Sequence, residues 1–234
     1  MIALASFSKP LVIVNFKTYA ESTGKRALQL AKIAEKVSEE TGIYVGVAPQ
    51  FVDIAKIASE ISIPGYSQHL DSVTFGGHTG HVLAESVKEA GAVGTLINHS
   101  ERRIPFPEVD SAVRRAKEIG LISCVCADTA SNSQTAAFFG PDIVAIEPPE
   151  LIGSGIPVSK AKPEVVSDTV SFVQKVNKGI TILCGAGITK GEDVEAALKL
   201  GTEGVLVASG IVRAKDQREA LLDLVRPMMS QGRL

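Results

Sequence analysis

The chain has 234 residues, of which 45% are apolar and 21% charged, with a formal net charge of −2. That composition suits a folded chain of one large domain or two small ones, with enough apolar material for a sizeable core. No long basic run appears, which argues against nucleic acid as a partner, and an anionic substrate must be held by a local site and not by a global field.

Met1 to Pro10 lacks the basic region followed by a long apolar one that marks a signal peptide. No stretch of about 18 apolar residues exists to span a membrane. With only three cysteines, Cys124, Cys126 and Cys184, a disulfide framework is not expected and a reducing cytoplasm is. Leu11 to Val14 is a continuous apolar run and reads as a strand buried on both faces. It runs into Asn15-Phe16-Lys17, which puts two polar residues two apart on one face of the strand end. Gly24 to Glu40 carries Leu30, Ala34 and Val37 at helical spacing. Ile43 to Ala48 is the second strand, and Pro49 opens a helix through about Ser59. Ile61 to Gln68 is a weaker third strand, interrupted by Pro64-Gly65. The Gly- and Thr-rich loop from His69 to Gly80 is long for a barrel connection and suggests reach toward a partner subunit. His78 and His81 fit a loop or helix-start role better than a metal site, for want of a third ligand.

Val82 to Ala90 is helical. Val93 to Ile97, the fourth strand, runs straight into Asn98-His99-Ser100-Glu101-Arg102-Arg103. Pro107 to Ile119 is a helix and Leu121 to Ala127 a strand, whose Cys124 and Cys126 share a face and read as core. Thr129 to Phe139 is a short helix. Asp142 to Glu147 is the sixth strand, ending on a carboxylate followed by Pro148-Pro149 and, after a small apolar patch, Gly153-Ser154-Gly155. A carboxylate at the exit of a buried strand sits where water is scarce, which predicts a raised pKa and a better base. The prolines stiffen one end of the loop, and the glycines leave backbone N–H groups bare for an anion at the other. Lys162 to Asn177 is a helix and Ile180 to Cys184 a strand ending in Gly185-Ala186-Gly187. Lys190 to Leu200 is a helix. Gly204 to Ala208 is the last strand, followed by Ser209-Gly210 and a final helix from about Lys215 to Met229.

Eight strand-then-helix units in unbroken alternation, with no linker between them, predict an α/β fold: a single-domain (β/α)8 barrel over residues 1–234. An open doubly wound sheet is the alternative, but the turn after its first strand should be a Gly-rich dinucleotide loop, and here it is Asn-Phe-Lys. In a barrel the chemistry gathers at the carboxyl ends of the strands. Those ends supply Asn15, Lys17, His99, Glu101 and Glu147, together with two small turns, Gly185 to Gly187 and Ala208 to Gly210, that let a phosphate approach backbone N–H groups. A phosphate clamp beside a carboxylate base, a His and a Lys, with no metal or cofactor motif, suggests proton transfer next to a carbonyl through an enediolate.

Asn15-Phe16-Lys17, the run Asn98 to Arg103, Glu147-Pro148 with Ile152-Gly153-Ser154-Gly155, and the last two turns together resemble the triosephosphate isomerase family over the whole chain. The short chain and its last two turns are similar to the compact archaeal branch. The resemblance implies interconversion of dihydroxyacetone phosphate and glyceraldehyde 3-phosphate, in glycolysis and gluconeogenesis, without a cofactor or metal. It implies Glu147 as base, His99 as neutral electrophile, Asn15 and Lys17 as the substrate-binding pair, and Glu101 as support for Lys17. Ile152 and Gly153 would be lid contacts to phosphate, and Gly187, Ala208 and Ser209 the phosphate-binding backbone. It further implies a homo-oligomer, a tetramer with a dimer as the alternative. Glu150, Gly187 and the pair Ala208-Ser209 depart from the commoner family residues. Arg102 and Arg103 are left as surface charges or bridges to neighbouring loops or subunits. The rivals are another phosphate-binding barrel isomerase and a non-catalytic phosphometabolite sensor.

Overall fold

The computed structural model describes residues 7–151 and 156–230. Eight parallel strands form one sheet in the order β2-β1-β8-β7-β6-β5-β4-β3. They are β1 (Leu11–Asn15), β2 (Tyr44–Ala48), β3 (Tyr66–Ser67), β4 (Gly94–Ile97), β5 (Ile122–Ala127), β6 (Ile143–Ile146), β7 (Thr181–Cys184) and β8 (Gly204–Val207). The sheet closes where a single parallel bridge joins Val47 to Gly65. The expected third strand, Ile61 to Gln68, shrinks to two residues there. Pro64 has no N–H to give a neighbour, and its carbonyl instead accepts from Val47 at 3.0 Å.

The helices of the outer ring are α1 (Lys25–Thr41), α2 (Ile54–Ala58), α3 (Ala84–Glu89), α4 (Phe106–Ile119), α5 (Ala130–Phe138), α6 (Val158–Ala161), α7 (Pro163–Val176), α8 (Gly191–Lys199), α9 (Ser209–Val212) and α10 (Gln217–Met229). The predicted helix from Pro49 begins later, as a 3-10 turn over Phe51–Asp53 that runs into α2. The one-turn helices α6 and α9 were not expected, being too short to show a period. Among the described residues no helix is long and apolar enough to cross a membrane.

Strand alternation fixes what faces inward. Leu11 and Ile13 of β1 join Ala48, Tyr66, Leu96, Cys124, Cys126, Ala145, Leu183 and Leu206 in the barrel interior. Val12 and Val14 pack outward, with Val45, Val205 and Val207, against α1, α8 and α10. The same period carries Asn15, Glu147 and Gly185 onto the inner face at the carboxyl rim, since each stands two residues beyond an inward-facing neighbour.

The largest fully buried side chain is Tyr66. Its hydroxyl meets the Tyr44 hydroxyl at 2.8 Å, so the polar end is satisfied inside an apolar core. The ring occupies space left by two glycines: a Cβ on Gly46 would lie 2.7 Å from it, and one on Gly94 would lie 2.5 Å from it. One aromatic ring thus fills the region where the sheet closes on a single bridge. Tyr66→Ala is expected to cost about 3–5 kcal/mol, the range for deleting a buried aromatic ring. Urea unfolding at fixed protein concentration measures this, and a loss under about 1 kcal/mol would contradict a packing role for the ring.

Candidate active site

Asn15, Lys17, His99, Glu147, Gly187, Ala208 and Ser209 line one cavity at the carboxyl end of the strands. Glu101 lines the adjoining one with Arg102. Ile152 and Gly153 lie outside the described residues.

Glu147 follows β6 and is 3% exposed. Its Oε1 stands 3.5 Å from His99 Nε2, and its Oε2 has no hydrogen-bond partner. The expectation of a raised pKa is corrected here. Burial does push the carboxyl up, but the attraction and hydrogen bonding of His99, the Cys126 thiol and the charge of Lys17 outweigh it, and the net shift is downward. The carboxyl is therefore ionised at neutral pH.

His99 owes its position to a break in strand alternation. Leu96 faces the barrel interior and Ile97 packs outward, so a regular strand would point residue 99 outward as well. Asn98 adopts a left-handed conformation, with φ at +61°, which Asn tolerates better than most residues. Its amide donates to the Cys126 carbonyl at 3.0 Å, and its oxygen accepts the Ile104 N–H at 3.0 Å. This turn brings His99 back over the rim. The Glu101 N–H then donates to His99 Nδ1 at 3.2 Å, which assigns the ring proton to Nε2, the nitrogen that faces Glu147. Burial lowers the pKa of His99, whereas the Glu147 carboxylate raises it and prevails.

Lys17 is also left-handed, with φ at +47°, a conformation that costs a residue of this type about 1–3 kcal/mol. Neighbours hold it there. Its N–H donates to Asn15 Oδ1 at 2.9 Å, and its carbonyl accepts from Gln68 Nε2 at 3.0 Å. The ammonium pairs with Glu101 Oε1 at 2.9 Å, with the Lys17 side chain 10% exposed. Arg103 reaches Asp128 at 3.3 Å and Arg102 approaches Asp71 at 3.9 Å, so both tie neighbouring loops together, and neither lines the cavity that holds Glu147.

The two small turns differ in detail. Gly187 has φ at +72°, and a Cβ there would fall 1.9 Å from the Ile156 carbonyl oxygen, so only glycine suits both the backbone and the close approach. Ser209 opens α9, whose first N–H groups lack intrahelical acceptors. Among the described residues no group of three or more His, Cys, Asp or Glu side chains is placed to hold a metal ion.

The triosephosphate isomerase family model matches residues 10–228. The chain belongs to the triosephosphate isomerase family. It is thereby an isomerase. Among curated relatives, the triosephosphate isomerase of Methanocaldococcus jannaschii is 55% identical over 216 residues, covering 92% of this chain and 99% of that protein. That of Methanobacterium bryantii is 57% identical over 92% of this chain and 96% of its own length. That of Methanosarcina barkeri is 55% identical over 93% and 98%.

The contacts of several site neighbours escaped the sequence reading. Gln68, Cys126 and Asn98 act through contacts that no local pattern shows. Gly185 is another. It looks like part of a phosphate turn, but a Cβ on it would lie 2.4 Å from Glu147 Cγ, so its missing side chain makes room for the carboxylate. Gly185→Ala is expected to push Glu147 away from His99. Because Glu147 raises the His99 pKa, that pKa should fall in the variant. Nitrogen NMR of the imidazole against pH reads this, and an unchanged titration would show that Glu147 keeps its place without the gap.

Proposed function

We propose that the chain interconverts dihydroxyacetone phosphate and D-glyceraldehyde 3-phosphate through an enediolate, with Glu147 as the base and His99 as the electrophile. The observation that carries this is the 3.5 Å approach of Glu147 Oε1 to His99 Nε2, in a cavity that also holds Lys17. Glu147 takes a proton from the carbon next to the carbonyl; the C–H electron pair becomes the C=C bond of the enediolate, and the carbonyl π pair moves onto the oxygen. The His99 Nε2–H hydrogen-bonds the substrate oxygens, so the hydroxyl hydrogen passes from one oxygen to the other. Glu147 then returns its proton to the neighbouring carbon. Once Glu147 is protonated its charge no longer raises the His99 pKa, and the Glu101 N–H on Nδ1 favours the neutral ring. Lys17, steadied by Glu101, offsets the negative charge on the enediolate. Asn15 orients the substrate beside it. Backbone N–H groups at Gly187, Ala208 and Ser209 bind the phosphate, and Ile152 and Gly153 contact it from the loop. The reaction serves glycolysis and gluconeogenesis within one barrel domain in the cytoplasm.

The chain works as a homo-oligomer, a tetramer or, failing that, a dimer. Supporting this, the loop between Asp71 and Leu83 is largely exposed, and its Phe75 is 75% exposed. Large apolar side chains left in water favour self-association. Light scattering should return a multiple of the chain mass, and a monomer at micromolar concentration would contradict it.

A coupled assay with both triose phosphates tests the reaction. Glu147→Gln should lose nearly all kcat while still binding substrate, whereas a sensor has no turnover to lose. Glu147→Asp should slow turnover by about 10²-fold, because the carboxylate retreats by about 1 Å. Near-normal turnover in either variant would remove Glu147 as the base. A base acts only above its pKa, and that of Glu147 is lowered, so its own acid limb in kcat/KM should lie below the one set by protonation of His99, whose pKa is raised and which must be neutral to act. His99→Gln removes the main lowering influence and leaves burial, so its residual activity should show the Glu147 limb at higher pH.

A further inference from the structure

Asp193 is the third residue of α8 and is 3% exposed. Both of its oxygens are engaged. Oδ2 accepts the N–H groups of Thr189 and Lys190 at 3.1 Å each and the Thr189 hydroxyl at 3.3 Å. Oδ1 faces Lys160 Nζ at 2.8 Å. A carboxylate at this helix position commonly caps its own turn. A buried one that also holds an ammonium from another segment does something more. The turn it caps is the strand-seven turn, whose Ile188 and Thr189 line the active-site cavity. The segment it holds is Pro157–Ala161, and two further contacts dock that stretch on the same turn. The Ser159 hydroxyl donates to the Asp193 carbonyl at 3.3 Å, and the Ile156 carbonyl packs on Gly187.

We propose that Asp193 is a positioning residue, and that the Lys160–Asp193 pair clasps the Ile156–Ala161 segment to the strand-seven turn and so sets that turn for the substrate's phosphate. The inference rests on the proposed isomerase reaction and on Gly187 as part of its phosphate site. Burial pushes the Asp193 pKa up, but Lys160 and the N–H groups of Thr189 and Lys190 outweigh this, so the group is charged at neutral pH. A buried charge that loses its counter-ion is strongly destabilised. Without Lys160, Asp193 must draw in water or shift, and the turn it caps shifts with it. Lys160 does not line the cavity, and its side chain is 44% exposed, so replacing it leaves the core packing untouched. Lys160 also lies 3.3 Å from Glu192, a surface contact that contributes little.

Lys160→Met, Lys160→Arg and Asp193→Asn in the full chain test this. The readouts are kcat and KM for the triose phosphates, the competitive Ki of inorganic phosphate, and kcat/KM for unphosphorylated glyceraldehyde. Lys160→Met should raise both KM and the phosphate Ki by about tenfold, in the usual range for coupled sites. Its loss in kcat/KM should be several-fold larger for the triose phosphates than for glyceraldehyde, and Lys160→Arg should restore most of it. Asp193→Asn should shift the same quantities further. Wild-type KM and Ki in Lys160→Met would overturn the proposal. So would an equal loss on both substrates with a lowered melting temperature, which marks a purely structural pair. Glu147→Gln in the same assay separates the levels: if it is inert, a normal Lys160→Met sinks only the clasp, and if it still turns over, the isomerase roles fall too.

Discussion

A carboxylate with almost no exposure can stay ionised only if other groups replace the water it has lost. Glu147 meets that constraint at the mouth of the barrel, and the surrounding structure follows from it. His99 supplies a ring N–H on one side and Lys17 a positive charge nearby. Glu101 fixes both, through its carboxylate on Lys17 and its backbone N–H on His99 Nδ1. Oε2 of Glu147 is left without a partner, an arrangement costly for stability alone and suited to the proton-accepting role proposed for it.

The scaffold delivers these groups by two means. Strand alternation carries Asn15, Glu147 and Gly185 inward at no conformational cost. Lys17 and Asn98 need left-handed backbone, and that cost is offset by the hydrogen bonds of Gln68, Cys126 and Ile104 around them. The site is therefore supported by neighbouring strands and not by one loop. The strained residues flank the chemistry, where a rigid sheet can hold them.

Much of this was legible in the chain itself. The strands read as short apolar runs, the polar residues at their ends marked the rim, and the order of motifs matched a family. What was not legible depends on through-space contact. Tyr66 and its two glycines are distant in sequence, so the ring's packing between them could not be foreseen, although Pro64-Gly65 had marked the third strand as weak and interrupted. The direction of the Glu147 shift was misjudged because burial alone was weighed, without the distance to His99. Gly185 looked like a phosphate turn because a glycine's role depends on what occupies the space its side chain would take. Asp193 carried only the mark of a helix start, and Lys160 none.

The claim on which the rest depends is that Glu147 is buried and yet charged because His99 and Lys17 stand beside it. Carbon NMR of the Glu147 carboxyl, followed against pH in protein labelled at glutamate, measures it directly. The carboxyl should titrate below the ordinary glutamate range. A carboxyl that titrates above that range would show that burial dominates and would contradict the account.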